Sequence, residues 1–135
     1  MRAFREAVEA GDLAALEALL AEDVVFASPV VFKPYPGKAI TAAILRAVSG
    51  VFEDFRYERE LTGADGRDHA LVFTARVGDR ELSGCDFIHV DEDGLIDELT
   101  VMVRPLSGAQ ALAAAMGAQF DRIAKEAEAR SAAAS

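Results

Sequence analysis

The chain has 135 residues, of which 52% are hydrophobic and 27% are charged, and its formal net charge is −9. This length fits one domain, and this balance is typical of a globular protein rather than a disordered one. Because no cluster of Lys and Arg interrupts the acidic trend, nucleic acid and anionic membrane surfaces would repel the chain and are not expected as partners.

The first half of the sequence has the spacing of amphipathic helices. Apolar residues recur at helical intervals from Phe4 to Leu20, and Gly11-Asp12 divides them, which predicts a glycine helix end followed by an aspartate N-cap. Val24 to Ser28 predicts a short strand that stops before a proline. The prolines between Lys33 and Gly37 predict a loop. A third amphipathic helix is predicted from Lys38 to about Val51.

The second half changes to the two-residue period of β-strands. Glycine-containing turns separate the predicted strands, which begin near Phe55 and continue as Ala70–Val77, Glu81–Val90 and Leu95–Arg104. Three helices followed by an antiparallel meander predict an α+β fold, with helices on one side of the sheet. We therefore expect one domain over residues 1–106, a C-terminal amphipathic Ala-rich helix over residues 107–128 and a disordered tail over residues 129–135.

The last hairpin can be divided into two faces. If Val90 pairs with Leu95 across the turn, cross-strand partners share a face. The predicted inner face then carries Leu82, Asp86, Ile88, Asp97, Leu99, Val101 and Val103, and the predicted outer face carries Cys85, Phe87, His89, Ile96, Thr100, Met102 and Arg104. Both faces are substantially apolar, and helices can cover only one of them. A homodimer through the outer face, with Phe87, His89 and Met102, is the expected cover for the other.

Asp86 is the most informative position, because it lies in the middle of a strand on a face that is otherwise apolar. Burial away from water raises the pKa of a carboxyl group. Such a group can donate a hydrogen bond when it is protonated, or take a proton when it is ionised. The alternative is an ordinary surface aspartate on a strand whose facing is inverted. Asp97 is predicted on the same face, where two acids could divide proton-transfer roles. Its proximity to the acidic turn makes plain solvation the alternative.

Other chemical groups give weaker signals. Ser28 ends the first strand without a nearby base, so a turn hydroxyl is the simpler interpretation. His89 falls on the face opposite Asp86, and His69 stands beside a turn. The two histidines lie far apart, and no metal or cofactor is predicted from the motifs present. The single cysteine, Cys85, cannot form an internal disulfide, and the start of the chain lacks a long apolar run, so a cytoplasmic location is expected.

Three segments carry a resemblance to a known superfamily. They are AVEAGDLAALEALLAEDVVFASP, PGKAITAAI and GCDFIHVDEDGLIDELTV. With these segments, the sequence is identified as a SnoaL-like member of the nuclear transport factor 2-like superfamily, which includes ketosteroid isomerase, polyketide cyclases, limonene epoxide hydrolase and scytalone dehydratase. The resemblance implies a cone-shaped fold in which a bent antiparallel sheet wraps around a long helix and encloses a deep apolar pocket. It also implies dimers through the sheet.

The resemblance to ketosteroid isomerase is partial at the residues that matter. The acid that donates a hydrogen bond to the substrate oxyanion corresponds to Asp86. The catalytic base corresponds to Ser28 and the phenol donor of the first helix to Phe4, and neither residue can take over that role. Gly84 stands where epoxide hydrolysis would require an arginine. The acid/base of an aldol-type cyclase could be supplied by Asp86 or Asp97.

A pocket for a small, mostly apolar molecule such as a polyketide, terpenoid or steroid-like compound follows as the leading expectation. Its predicted wall comprises Phe4, Val8, Phe26, Ser28, Phe52, Phe55, Tyr57, Phe73, Ile88, Leu99, Val101 and Val103. Asp86 would serve a cofactor-independent isomerisation, cyclisation or hydrolysis. The alternatives are a ligand-binding protein without chemistry and a dimerising interaction module of the same fold.

Overall fold

The computed structural model describes residues 1–134. Three helices come from the first half of the chain: α1 (Arg2–Ala10), α2 (Leu13–Ala18) and α3 (Lys38–Ser49). Gly11 ends α1 in the left-handed region with φ 67°, and the Asp12 carboxylate accepts a hydrogen bond from the Ala15 N–H at 3.0 Å. The helix boundary predicted at Gly11-Asp12 is thus confirmed.

Six strands form one sheet in the order β2-β1-β6-β5-β4-β3. The strands are β1 (Leu20–Ala27), β2 (Tyr35–Pro36), β3 (Glu53–Thr62), β4 (Asp68–Val77), β5 (Arg80–Val90) and β6 (Ile96–Arg104). All neighbouring pairs are antiparallel except β1 and β6, which run parallel. The helices cover one face of this sheet, as in cone-shaped α+β folds, so the predicted fold class is confirmed.

The predicted loop between Lys33 and Gly37 contains a short strand that periodicity did not reveal. Tyr35 pairs with Phe26 and Pro36 with Val25 at the edge of the sheet. A proline fits there because an edge strand does not need every backbone N–H for the ladder. The Gly37 N–H continues this contact by donating to the Val24 carbonyl at 2.7 Å.

The register of the last hairpin differs from the prediction. Asp86 pairs with Val101 rather than Leu99, and Val90 pairs with Ile96 rather than Leu95. An irregularity between His89 and Val90 inserts an extra residue into β6, and such a bulge reverses which face the neighbouring side chains take. Ile96 is consequently fully buried, although it was expected on the outer face.

The C-terminal region forms two helices instead of the single helix predicted over residues 107–128. These are α4 (Leu106–Gly117) and α5 (Phe120–Ala134). The change of direction lets Leu112 of α4 and Ile123 of α5 both be 3% exposed. The disordered tail predicted over residues 129–135 is helical as far as Ala134, and Ser135 lies outside the described residues.

Ion pairs explain why α5 extends beyond its predicted end. Arg130 contacts Glu126 at 3.1 Å one turn earlier and also pairs with Glu17 of α2. Glu126 in turn lies 3.5 Å from Arg46 of α3. These contacts fasten the last turns of α5 to the N-terminal helices. Within residues 1–134, no helix is long and apolar enough to cross a membrane.

Candidate active site

A cavity of about 380 Å³ lies between the helices and the inner face of the sheet. This volume is within the range of pockets that hold small organic ligands. Its wall contains every predicted pocket residue except Ile88 and Val103. Ile88 is 2% exposed inside the hydrophobic core, and Val103 packs against that core near the end of β6.

Asp86 enters the cavity wall from the middle of β5. Its backbone lies between Leu71 of β4 and Val101 of β6, so its side chain projects from an interior strand of the sheet. The residue is only 8% exposed. Loss of solvation raises the pKa of Asp86 from 3.8 to about 7, although a hydrogen bond from Tyr57 acts in the opposite direction.

Tyr57 is the hydrogen-bond partner of this carboxyl group. Its hydroxyl donates to Oδ2 of Asp86 at 2.8 Å. The ring is 5% exposed and lies in the cavity wall. Burial and the nearby Asp86 charge raise the pKa of Tyr57 well above its usual range. Tyr57 therefore remains a neutral donor throughout the physiological pH range.

The sheet register explains how two residues so distant in sequence meet. Tyr57 of β3 pairs with Phe73 of β4, and Phe73 pairs with Gly84 of β5, two positions before Asp86. A Cβ atom at position 84 would lie 2.5 Å from Cζ of Phe73. The missing side chain thus leaves room for the Phe73 ring between the strands that carry Tyr57 and Asp86.

Arg5 of α1 supports the same tyrosine from the helix layer. Its guanidinium carbon lies 5.8 Å from the centre of the Tyr57 ring, a cation–π distance. Arg5 is itself held by Glu9 at 3.1 Å and Glu60 at 3.6 Å. Arg5 thus covers the face of the Tyr57 ring that points toward α1. This contact was not predicted from the sequence.

Apart from this pair, the polar side chains of the described cavity wall are the hydroxyl groups of Ser28, Tyr35 and Ser49. Among the described residues in its wall, Asp86 is the only carboxyl group, and none is Lys, Arg or His. Oδ2 of Asp86 is used by Tyr57, whereas Oδ1 has no hydrogen-bond partner in residues 1–134. Oδ1 is consequently available to donate a proton to a ligand or to receive one from it.

Two further wall residues have no acid/base partner. Ser28 accepts a hydrogen bond from the Val30 N–H at 3.1 Å through its own hydroxyl, which is the turn role considered from the sequence. Phe4 is 2% exposed and contributes only its ring. Both lie in the cavity wall, so the positions equivalent to the isomerase base and helix phenol are present without their chemistry.

Asp97 does not join Asp86, so the predicted pair of acids on one face is wrong. The bulge in β6 places Asp97 beside His89, whose Nδ1 lies 2.6 Å from Oδ1 of Asp97. That hydrogen bond raises the pKa of His89. Asp97 is absent from the cavity wall and has no position from which to act on a ligand there.

The same outer cluster is the one group of described residues that could hold a metal ion. Ligand atoms of His89, Asp97 and Glu98 lie within 4.8 Å of one another. Histidine spacing alone could not reveal it, because two of the three donors are carboxylates on the neighbouring strand. Exposed acidic groups commonly occur without a metal, and no other feature of this cluster points to a ligand.

Comparison with known proteins agrees with this architecture. Residues 1–99 match the model of the SnoaL-like domain. The chain belongs to the SnoaL-like domain family. Comparison with curated protein sequences gives no match.

Solved structures similar to this SnoaL-like protein extend over most of its length. A steroid delta-isomerase from Pseudomonas aeruginosa is 48% identical with a TM-score of 0.84, and the similarity covers 88% of this chain and 87% of that chain. An uncharacterized protein with a cystatin-like fold from Silicibacter pomeroyi is 38% identical with a TM-score of 0.86, covering 94% and 91% of the two chains. An NTF2-like protein from Burkholderia xenovorans is 25% identical with a TM-score of 0.64, covering 82% and 90%.

Proposed function

We propose that this SnoaL-like protein binds a small, mostly apolar molecule, such as a polyketide, terpenoid or steroid-like compound, and that Asp86 acts on it as a general acid/base. The observation that carries the proposal is the buried Asp86 carboxyl with one oxygen held by Tyr57 and the other free. The reaction would be a cofactor-independent isomerisation, cyclisation or hydrolysis. The similarity to a steroid delta-isomerase makes isomerisation the first reaction to test.

Isomerisation of a β,γ-unsaturated ketone needs one group that moves a proton. Ionised Asp86 would take the proton from the carbon next to the carbonyl, which breaks a C–H bond and forms an O–H bond at Oδ1. The electrons pass into the dienolate, and Asp86 then returns the proton to the γ-carbon. Because Ser28 is not a base and the described wall holds no second carboxyl group, Asp86 would move the proton itself, and Tyr57 would keep its carboxylate in place.

The pH profile separates the two possible roles of Asp86. A group that acts as a base must be ionised, so activity would rise as pH increases through about 7, the pKa of Asp86. A group that donates a hydrogen bond as an acid must be protonated, and activity would fall over the same range. The mechanism given above predicts the rising profile.

The test is conversion of a β,γ-unsaturated steroid ketone, followed by the absorbance of the conjugated product. Asp86→Asn should lower kcat by about 100-fold or more, because general acid–base catalysis contributes factors of this size. Ser28→Ala is the matched control, since Ser28 also lines the cavity but its hydroxyl serves a turn. Unchanged turnover and ligand affinity in Asp86→Asn would show that the assignment is wrong.

A ligand-binding protein without chemistry is the alternative, and the inert groups at Ser28 and Phe4 favour it. Equilibrium dialysis with apolar ketones, followed by product analysis, distinguishes the two functions. Binding of unchanged ligand would favour the alternative. The interaction module has less support, because a pocket filled by the protein's own side chains would favour it and the cavity instead holds about 380 Å³ of free space.

We further propose that two copies associate through the outer face of the sheet. Phe87 and Met102 are 43% and 59% exposed there, and His89 lies beside them on β5. Apolar side chains of this size on one sheet face favour a covered surface. Met102→Glu should convert dimers to monomers in light scattering coupled to gel filtration, whereas Leu106→Glu, at an exposed position outside the sheet, should not.

A further inference from the structure

We infer that the corner between α4 and α5 is the entrance of the cavity and that Met116, Gly117 and Phe120 select ligands by their length. This inference rests on the proposed ligand-binding function. The corner lies beyond residues 1–99, the part that matches the SnoaL-like domain model. Selection here would therefore be a property of the C-terminal helices rather than of the matched domain.

The opening of the cavity is marked by wall residues that are also exposed. Such residues lie where the cavity comes nearest to solvent. These residues are Gly11, Val31, Ser49, Gly117 and Phe120. They come from the α1–α2 turn, the loop after β1, the end of α3 and the α4–α5 corner. The corner provides the one large aromatic side chain among them.

Phe120 has the exposure expected of a side chain at an opening. It is 49% exposed although it belongs to the cavity wall. A bound apolar molecule that reached it would remove ring surface from water, which favours contact between them. Met116, half-buried on the other side of the corner, is unbranched and can adapt to ligands of different shape.

On both sides of the corner, α4 and α5 are held by core packing and ion pairs, so movement that admits a ligand is expected at the corner itself. Leu112 and Ile123 anchor α4 and α5 in the core with 3% exposure each. Glu126 and Arg130 join α5 to the neighbouring helices. Between these anchors, the Gln119 side chain bonds Arg122 of α5, and among residues 1–134 no side-chain hydrogen bond or ion pair joins the corner at Gly117–Gln119 to the sheet.

The polar and apolar parts of the wall give a bound ligand a direction. Asp86 is the sole carboxyl of the described wall and belongs to the sheet, whereas the corner contributes only apolar side chains and backbone. A ligand whose oxygen reaches Asp86 therefore extends its hydrocarbon part toward the helices. The corner then contacts the far end of the ligand, and the room available there limits the ligand's length.

Position 117 provides a sharp test, because Gly117 has ordinary helical backbone and an added Cβ would meet nothing within 4 Å. Gly117→Leu should narrow the entrance without disturbing the fold, and Phe120→Ala should widen it. The probe is prodan, an uncharged fluorescent naphthyl ketone, and alkyl phenyl ketones of increasing chain length compete for its site. Stopped-flow fluorescence gives the association and dissociation rates of the probe.

In Phe120→Ala, the association rate should rise about tenfold and the dissociation rate should rise more, because the contact with the ring is lost, and the best competitor should become longer. In Gly117→Leu, both rates should fall and long ketones should lose the competition. Leu106→Ala is the control, since Leu106 is 73% exposed and lies outside the cavity wall. If all variants had the same rates and the same chain-length preference as the wild-type protein, the assignment of the α4–α5 corner as the entrance would be wrong.

The outcomes also separate this inference from the function on which it rests. If the wild-type protein binds prodan and Asp86→Asn abolishes turnover while the corner variants behave like wild type, the entrance alone is wrong. If the corner variants change the rates but Asp86→Asn has no effect on turnover or affinity, the entrance stands and the acid/base role fails. Absence of binding in the wild-type protein would overturn both.

Discussion

Replacing Asp86 with asparagine should stabilise the folded protein at alkaline pH. The pKa of Asp86 is raised by burial to about 7 in the folded state, whereas an unfolded aspartate titrates near 4. Between these values the unfolded chain releases the proton while the folded protein keeps it. The folded state then binds more protons, so stability falls as pH rises from about 4 to 7 and stays low above 7. Asparagine does not ionise, so the Asp86→Asn protein should not lose stability in this way as pH rises.

The magnitude follows from the shift. An increase in pKa from 3.8 to about 7 corresponds to about 4 kcal/mol of stability lost at pH 8. Asparagine retains an oxygen that accepts the Tyr57 hydrogen bond, but its amide N–H groups lack a protein partner, which costs about 1–2 kcal/mol. We therefore expect Asp86→Asn to be about 2 kcal/mol more stable than wild type at pH 8.

Urea unfolding at pH 5.5 and pH 8 measures this effect. The amide cost is the same at both values, so the advantage of Asp86→Asn should grow by about 2 kcal/mol between them. Asp79→Asn is the control, because the Asp79 side chain is 96% exposed in a turn and its replacement should have a small, pH-independent effect. An advantage of equal size at both pH values would refute the claim that Asp86 is desolvated.

Two other substitutions test how the site is built. Tyr57→Phe removes the hydrogen bond that lowers the pKa of Asp86, so the midpoint of the pH–rate profile should move to higher pH and stability should fall by about 1–2 kcal/mol; a midpoint at lower pH would contradict this role. Gly84→Ala should cost about 1–3 kcal/mol in urea unfolding, because its Cβ would lie 2.5 Å from the Met102 carbonyl oxygen, which the backbone cannot move aside cheaply; unchanged stability would show that the strands separate easily.

Local signals in the sequence were sufficient to predict most elements of the fold. The glycine and aspartate at positions 11 and 12 end one helix and begin the next because each satisfies backbone groups at a helix terminus. Turn glycines at positions 66, 78 and 94 have positive φ and connect the strands as predicted. These features depend on a few neighbouring residues, which is why a single sequence reveals them.

The bulge in β6 could not be predicted in the same way. Alternation of apolar and polar residues assumes a regular ladder, and the segment Ile96-Asp97-Glu98-Leu99 was assigned on that basis. In the structure, Ile96 and Leu99 both face the core although three positions separate them. The single inserted residue moved Asp97 to the outer face, and this removed one of the two predicted catalytic acids.

The contact between Tyr57 and Asp86 shows another limit of sequence reasoning. Each residue was placed on the pocket wall, but their hydrogen bond depends on the registers of two strand pairs and on the space at Gly84. A register drawn from the turn at Gly78-Asp79 would have placed Phe73 opposite Gly84. If the register had then been extended from β4 to β3, it would have placed Tyr57 opposite Phe73 and therefore near Asp86. No other feature of the sequence indicates this contact.

The arrangement around Asp86 is difficult to explain by stability alone. An apolar side chain or an asparagine in its place would avoid the charge penalty, and burial is complete enough for that penalty to be several kcal/mol. The structure instead holds one carboxyl oxygen with a neutral phenol, fixes that phenol with Arg5 and leaves the other oxygen without a partner inside an apolar cavity. A group kept at a cost to stability, with its pKa near neutrality, is what proton transfer requires. If Asp86→Asn proves more stable at pH 8 and also inactive, the two results together identify the carboxyl as functional, because a structural role would predict loss of stability in the same variant.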